Sequence, residues 1–170
     1  FQAEFISKID YYQTKMQESR HGHPWVAPKR QAIKTNCVDR LKILEAAWIH
    51  GGLQFRESFD DVLLDERSNK IVSEFICNKI MGAVHDPKIA KKLLPTDHPF
   101  GTKRPPIDTG YFETFNQKNV RLIDLKATPI SECNRTGIDL ANGISIEVDA
   151  IVFATGFDAM TGSILKLNLS

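Results

Sequence analysis

Residues 98–106 read HPFGTKRPP, and they hold the first pair of side chains to which a chemistry can be assigned. Arg104 carries a permanently charged, planar donor fork, and Lys103 a compact point charge on a flexible stem. Prolines at 99, 105 and 106 restrict the backbone around them, so the cations are held with less entropy left to lose on binding. Such a pair suits an anion at a defined place. A solvated surface pair is the competing reading, because charged loops are common. The second candidate is FATGFDAMTG, residues 153–162, where a run of Ile151, Val152, Phe153 and Ala154 enters a turn of small residues. Gly156 and Gly162 would let a flat ligand or another backbone come close there, although an ordinary strand-to-loop turn reads the same way.

Other chemistries are poorly served. His21 and His23 lie two apart in a loop, with no Cys or carboxylate cluster at ligand spacing, so no metal is expected. His50 and His85 fall near helix C-termini, where an imidazolium suits the helix dipole. Nothing resembles a nucleophile elbow, and no Cys pairs with a His in a motif. IHGGLQF contains paired glycines but follows a helix and lacks the GxGxxG spacing after a strand. The 170 residues carry a formal net charge of +1 and are 42% hydrophobic, a globular composition. That balance argues against a nucleic-acid partner, whose phosphates need many cations. No apolar run approaches a membrane span, and no signal-peptide pattern opens the chain. Cys37, Cys77 and Cys133, far apart, read as free thiols in a reducing, cytoplasmic setting.

Positioning these residues falls to two kinds of element. Residues 1–95 read as nearly all helix. Phe1, Phe5, Ile9 and Tyr12 make one stripe over residues 1–19, and SRHGHPWVAPKR breaks it as a loop. Val38, Leu41, Leu44 and Trp48 mark a face of the next helix, with Gly51 and Gly52 as its stop. FRESFDDVLLD is a short apolar helix. The helix read most firmly carries Ile71, Val72, Phe75, Ile76, Ile80 and Val84 on one side. Asp86 and Pro87 then cap and start another. Beyond HPFGTKRPPID the texture changes to a short helix, TGYFETFN, then strand-like runs VRLID, PISECN, GIDL and ISIEV, with Asn142-Gly143 as a hairpin turn. IVFA is expected to be a buried strand. The order is a helical block followed by the tail of an α/β or α+β domain. The chain opens on FQAEFISKIDYY without an initiator Met and ends on ILKLNLS as a strand develops, so it reads as an interior piece of a longer protein.

Together, KKLLPTDHPFGTKRPPIDTGYFETFNQKNVRLID and DAIVFATGFDAMTGSILKL resemble the Baeyer–Villiger monooxygenases of the cyclohexanone and phenylacetone monooxygenase type. EAAWIHGGLQFRESFDDVLLD also looks like their helical region. The resemblance runs over about residues 38–170. The ATG turn is shared by many flavin monooxygenases, whereas GFDAMTG with the PFGTKR loop narrows the match.

The resemblance implies a mixed α/β fold. Residues 1–95 would be a helical insertion, 96–150 the C-terminal part of a Rossmann-like NADP-binding domain, and 151–170 a linker strand and ATG turn returning to an FAD-binding domain. It implies FAD and NADPH as cofactors, with O₂ and a small-molecule ketone as substrates and an ester or lactone as product. Arg104 is implied to stabilise the flavin peroxide anion and the adduct it forms with the ketone. Lys103 is implied to contact the 2′-phosphate side of NADP, and Ala154, Thr155, Gly156 and Phe157 to form the turn beside the cofactors. Asp158 and the small residues after it look like loop-shaping positions. The family's two GxGxxG loops and its FxGxxxHxxxW-type fingerprint are absent, so this piece alone is expected to be inactive. Two alternatives stand beside this reading: an N- or S-oxygenating flavin monooxygenase, and a non-catalytic helical interaction module.

Overall fold

The structure is a computed structural model that describes residues 2–19 and 28–156. His21, His23, Phe157, Asp158 and Gly162 therefore lie outside the described residues. The fold is a mixture of helix and sheet, and the chain forms two compact units, Phe1–Leu122 and Ile123–Ser170.

Within the first unit, helix α1 covers Gln2–Ser7 and α2 Ile9–Glu18, where the sequence predicts one continuous helix. The break falls at Lys8, with φ −115° and ψ 15°. The Ser7 hydroxyl donates back to the Glu4 carbonyl at 2.8 Å, competing for the acceptor that a continuous helix would offer Lys8. Helix α3, Cys37–His50, starts at Asn36, whose side chain accepts from the Asp39 N–H. It ends where the Gly51 N–H donates to the Ala47 carbonyl. Its buried face differs from the expected one. Leu44 is buried with Ile43, Ala47 and Trp48 packed nearby, but Val38 and Leu41 are 59% and 53% exposed. Packing against the core begins only at Ile43, so the stripe's first turn is left in solvent.

FRESFDDVLLD, expected to be a helix, is a 3₁₀ turn over Gly52–Glu57 followed by tight turns to Leu64. Its irregularity has a cause. Phe55, Phe59 and Val62 from this short segment all enter the core, and a straight helix would not aim them together. Buried Asp61 holds the path: its Oδ1 accepts from the Ala32 N–H at 2.7 Å and its Oδ2 from the Ser68 hydroxyl at 2.5 Å. A buried carboxylate without such donors would be costly.

Helix α4, Glu66–Ala83, forms as predicted, burying Val72, Phe75 and Ile80, with Val84 buried just beyond it. Trp48, Phe55 and Phe75 meet as an aromatic cluster with centroid separations of 5.8, 5.9 and 6.0 Å. Lys79 crosses from α4 to Glu45 of α3 at 2.6 Å. Both side chains are partly exposed, so the pair contributes at most about 1 kcal/mol.

Asp65 caps α4 by accepting from the Arg67 and Ser68 N–H groups. The Arg67 side chain hydrogen-bonded to it, helped by those N–H donors, lowers its pKa to about 2. A carboxylate lowered in the folded state stabilises it above the unfolded pKa near 4 and loses that contribution as pH falls toward 2. Asp65→Ala should therefore lower the melting temperature by a few degrees at pH 7 and much less at pH 2. Melts at both values check this.

Helix α5, Pro87–Leu93, is capped by Asp86 accepting from the Lys88 N–H at 2.7 Å, as expected. Helix α6 is short, Tyr111–Thr114. It is tied to the end of α4 by Asn116, whose Nδ2 donates to the Ala83 carbonyl while its Oδ1 accepts from the His85 N–H.

In the second unit, strands β1 (Ile130–Cys133), β2 (Gly137–Leu140) and β3 (Ser145–Glu147) form an antiparallel meander in that order. Cys133 lies opposite Ile138, and Ile138 opposite Ile146. A register shift interrupts β1 between Ile130 and Glu132. Asn142-Gly143 makes the predicted turn, with the Gly143 N–H donating to the Leu140 carbonyl. Two predicted strands do not form. VRLID and IVFA have no strand partner among the described residues. Val152 and Phe153 are 88% and 70% exposed. Alternating or apolar sequence makes a strand only where neighbours complete its ladder and cover its faces.

Candidate functional site

The segment carrying Lys103 and Arg104 is irregular, as its prolines require, but it is anchored at one point. Phe100 packs its ring edge-on against Phe55 at 5.7 Å, joining the aromatic cluster. Its backbone is gripped by the buried Asn69 of α4. The Phe100 N–H donates to Asn69 Oδ1 at 3.0 Å, and Asn69 Nδ2 donates to the Phe100 carbonyl at 2.8 Å. Nδ2 also donates to the Val62 carbonyl at 3.0 Å, and the Ser73 hydroxyl donates to Oδ1 at 3.3 Å. Each of these backbone groups left unpaired in the interior would cost about 1–3 kcal/mol.

The chain then turns. The Thr102 N–H and hydroxyl both donate to the Pro99 carbonyl, at 3.3 and 2.8 Å. Gly101 sits at φ +87°, and a Cβ there would lie 2.5 Å from Leu63 Cδ2. The left-handed backbone favours glycine, and a Cβ would also push the Leu63 side chain aside. With Phe100 fixed, Arg104 starts no more than about 14 Å away along the chain.

Lys103 and Arg104 are both exposed. Lys103 Nζ lies 3.7 Å from Asp97 Oδ2, with the Lys103 side chain 65% exposed. Asp97 is held below the usual carboxylate range by the His98 ring hydrogen-bonded to it, and next by the Lys103 charge. Among the described residues, Arg104 has no ion pair. One cation of the pair is thus partly compensated and the other is open to an incoming anion.

The ATG turn belongs to the second unit. Ala154 and Thr155 are exposed, and Gly156 adopts φ +84° in open space, where an added Cβ would meet nothing within 4 Å. That left-handed, uncrowded glycine is what a close backbone approach to a flat group needs. The residues present fit a part of each implied cofactor: cations for a phosphate and for developing negative charge, and a glycine turn for close approach. No group of three or more metal-binding side chains occurs among the described residues.

Sequence reading found the cations and missed what holds them. Asn69 looks like an ordinary helix-surface amide, and Phe100 like a loop residue. The available signal was a lone Phe-Gly inside a polar, proline-rich stretch, which asks where the ring goes.

No protein-family model matches the chain. Among curated relatives, 2-oxo-Δ(3)-4,5,5-trimethylcyclopentenylacetyl-CoA monooxygenase of Pseudomonas putida is 46% identical over 111 residues, 65% of this chain and 20% of the relative. Cyclopentanone 1,2-monooxygenase of Comamonas sp. is 41% identical over 142 residues, 82% of this chain and 26% of the relative. A solved structure of OTEMO in complex with FAD and NADP superposes with a TM-score of 0.88 at 35% identity, covering 95% of this chain and 30% of that one. The chain spans about a quarter of the length of the curated relatives it matches. No helix among the described residues is long and apolar enough to cross a membrane.

Proposed function

We propose, from the premise that the chain belongs to the Baeyer–Villiger monooxygenase family, that it is part of an FAD- and NADPH-dependent enzyme that converts ketones to esters or lactones with O₂. The observation that carries this is the anchored loop, with a guanidinium that has no ion pair among the described residues beside a half-compensated ammonium, in a chain similar to ketone monooxygenases. Residues 1–95 are then the helical insertion, 96–150 the end of the NADP-binding domain and 151–170 the return to the FAD-binding domain. The free Cys37, Cys77 and Cys133 suit a cytoplasmic enzyme.

Bound flavin and NADPH supply the reducing and oxygen-activating chemistry. The residues of this chain hold and orient. Arg104 places its planar donor fork where an oxygen of the substrate becomes negative. Lys103 leaves or shares Asp97 to take the 2′-phosphate of NADPH, which favours NADPH over NADH. Ala154, Thr155 and Gly156, with Phe157 next in sequence, are the residues that would let backbone approach the cofactors.

Lys103 provides the direct test. In the whole enzyme, Lys103→Ala should raise the KM for NADPH about tenfold, the worth of one charge-assisted contact, while leaving the KM for NADH within about twofold. Equal effects on the two cofactors would remove Lys103 from the phosphate.

A further inference from the structure

We infer that Asn69 is a positioning residue for the catalytic loop: its carboxamide on α4 fixes the backbone of Phe100 and so sets where Lys103 and Arg104 begin. The inference rests on the functional reading above for the loop's role, and on geometry alone for the clamp.

Asn69 is 9% exposed, and each of its polar atoms is engaged. The amide oxygen faces a backbone N–H and the amide nitrogen faces two backbone carbonyls, so the network itself decides which end is which. Pairing the donor and acceptor of one side chain with the N–H and C=O of one residue copies a β-bridge. It fixes the orientation of that peptide as well as its position. Few side chains can replace it. Asp offers the acceptor and puts an oxygen against two carbonyls. Gln is one methylene longer in a site already filled, and Ser has a single polar atom.

The ring of Phe100 and the tight turn at Gly101 then remove the remaining freedom. The ring sits against Phe55, and the turn lies against Leu63. Arg104 itself has no ion pair among the described residues that would hold it. Its placement therefore comes from the backbone, stiffened by Pro105 and Pro106 downstream and gripped upstream by the buried Asn69.

The experiment uses the whole enzyme with Asn69→Ala and Asn69→Asp. Lys70→Ala serves as a control at the neighbouring position of α4, where the side chain is exposed and pairs with Glu74 instead of Asn69. Hydrogen exchange is followed over residues 99–104, and ester formed per NADPH consumed is measured beside the KM for NADPH. Asn69→Ala should speed exchange at the Phe100 amide about tenfold, as the loss of one or two hydrogen bonds would. It should also raise the KM for NADPH and lower the product per NADPH at least about threefold. Asn69→Asp should keep part of the Phe100 protection and still lose coupling, while Lys70→Ala should change neither. Asn69 is merely structural if the melting temperature falls but exchange, KM and coupling of the folded enzyme stay at wild-type values. If Asn69→Ala frees the loop while Arg104→Ala leaves coupling intact, the clamp stands and the role of Arg104 is lost. If Arg104→Ala uncouples the enzyme while Asn69→Ala leaves loop exchange unchanged, the clamp is overturned and the functional reading stands.

Discussion

Replacing Arg104 by Ala in the whole enzyme should leave NADPH oxidation measurable while lowering ester formation by about 100- to 1,000-fold. That range is what removal of one preorganised donor at developing negative charge costs. The separation of the two rates follows from the site. Arg104 is exposed and has no ion pair among the described residues, so removing it leaves no buried charge and disturbs no packing. Its loss is therefore expected to act on the reaction and not on the fold. Arg104→Lys should recover part of the loss, because it restores charge without the planar fork. Equal falls in NADPH oxidation and ester formation would mean that Arg104 serves cofactor binding and not the oxygen-transfer step.

Phe55→Ala should destabilise the helical unit by about 3–5 kcal/mol. Phe55 is 8% exposed and meets the rings of Trp48, Phe75 and Phe100, so its removal opens a cavity shared by α3, α4 and the loop. Val38→Ala makes the contrast, since Val38 is 59% exposed and its truncation should stay within about 0.5 kcal/mol. Denaturant midpoints of the two variants decide this. Similar shifts for both would mean that the core does not close around Phe55. Because Phe55 also carries Phe100, the first variant should loosen residues 99–104 as Asn69→Ala does.

Local patterns in the sequence were enough to place α4, α5 and the Asn142-Gly143 hairpin. Each combines a period, a cap or a turn residue that acts within a few positions, and that information is local. The errors share a different cause. Val38 and Leu41 have the right spacing for a buried face, but whether a face is buried depends on what packs against it. VRLID and IVFA have strand composition, and a strand also needs a partner. FRESFDDVLLD has helical composition, yet the Asp61 hydrogen bonds and three buried apolar side chains bend it into turns. Lys103 and Arg104 stood out as candidates because charge and proline stiffness are local properties. Asn69 was not, because its role exists only where α4 meets residue 100, 31 positions away.

The measurement that bears most directly on the central claim is product analysis of the whole enzyme supplied with NADPH, ¹⁸O₂ and a cyclic ketone. A Baeyer–Villiger monooxygenase should release a lactone carrying one ¹⁸O atom for each NADPH consumed. Oxidation of amines or sulfides with the ketone returned unchanged, or NADPH consumption that yields only hydrogen peroxide, would contradict it.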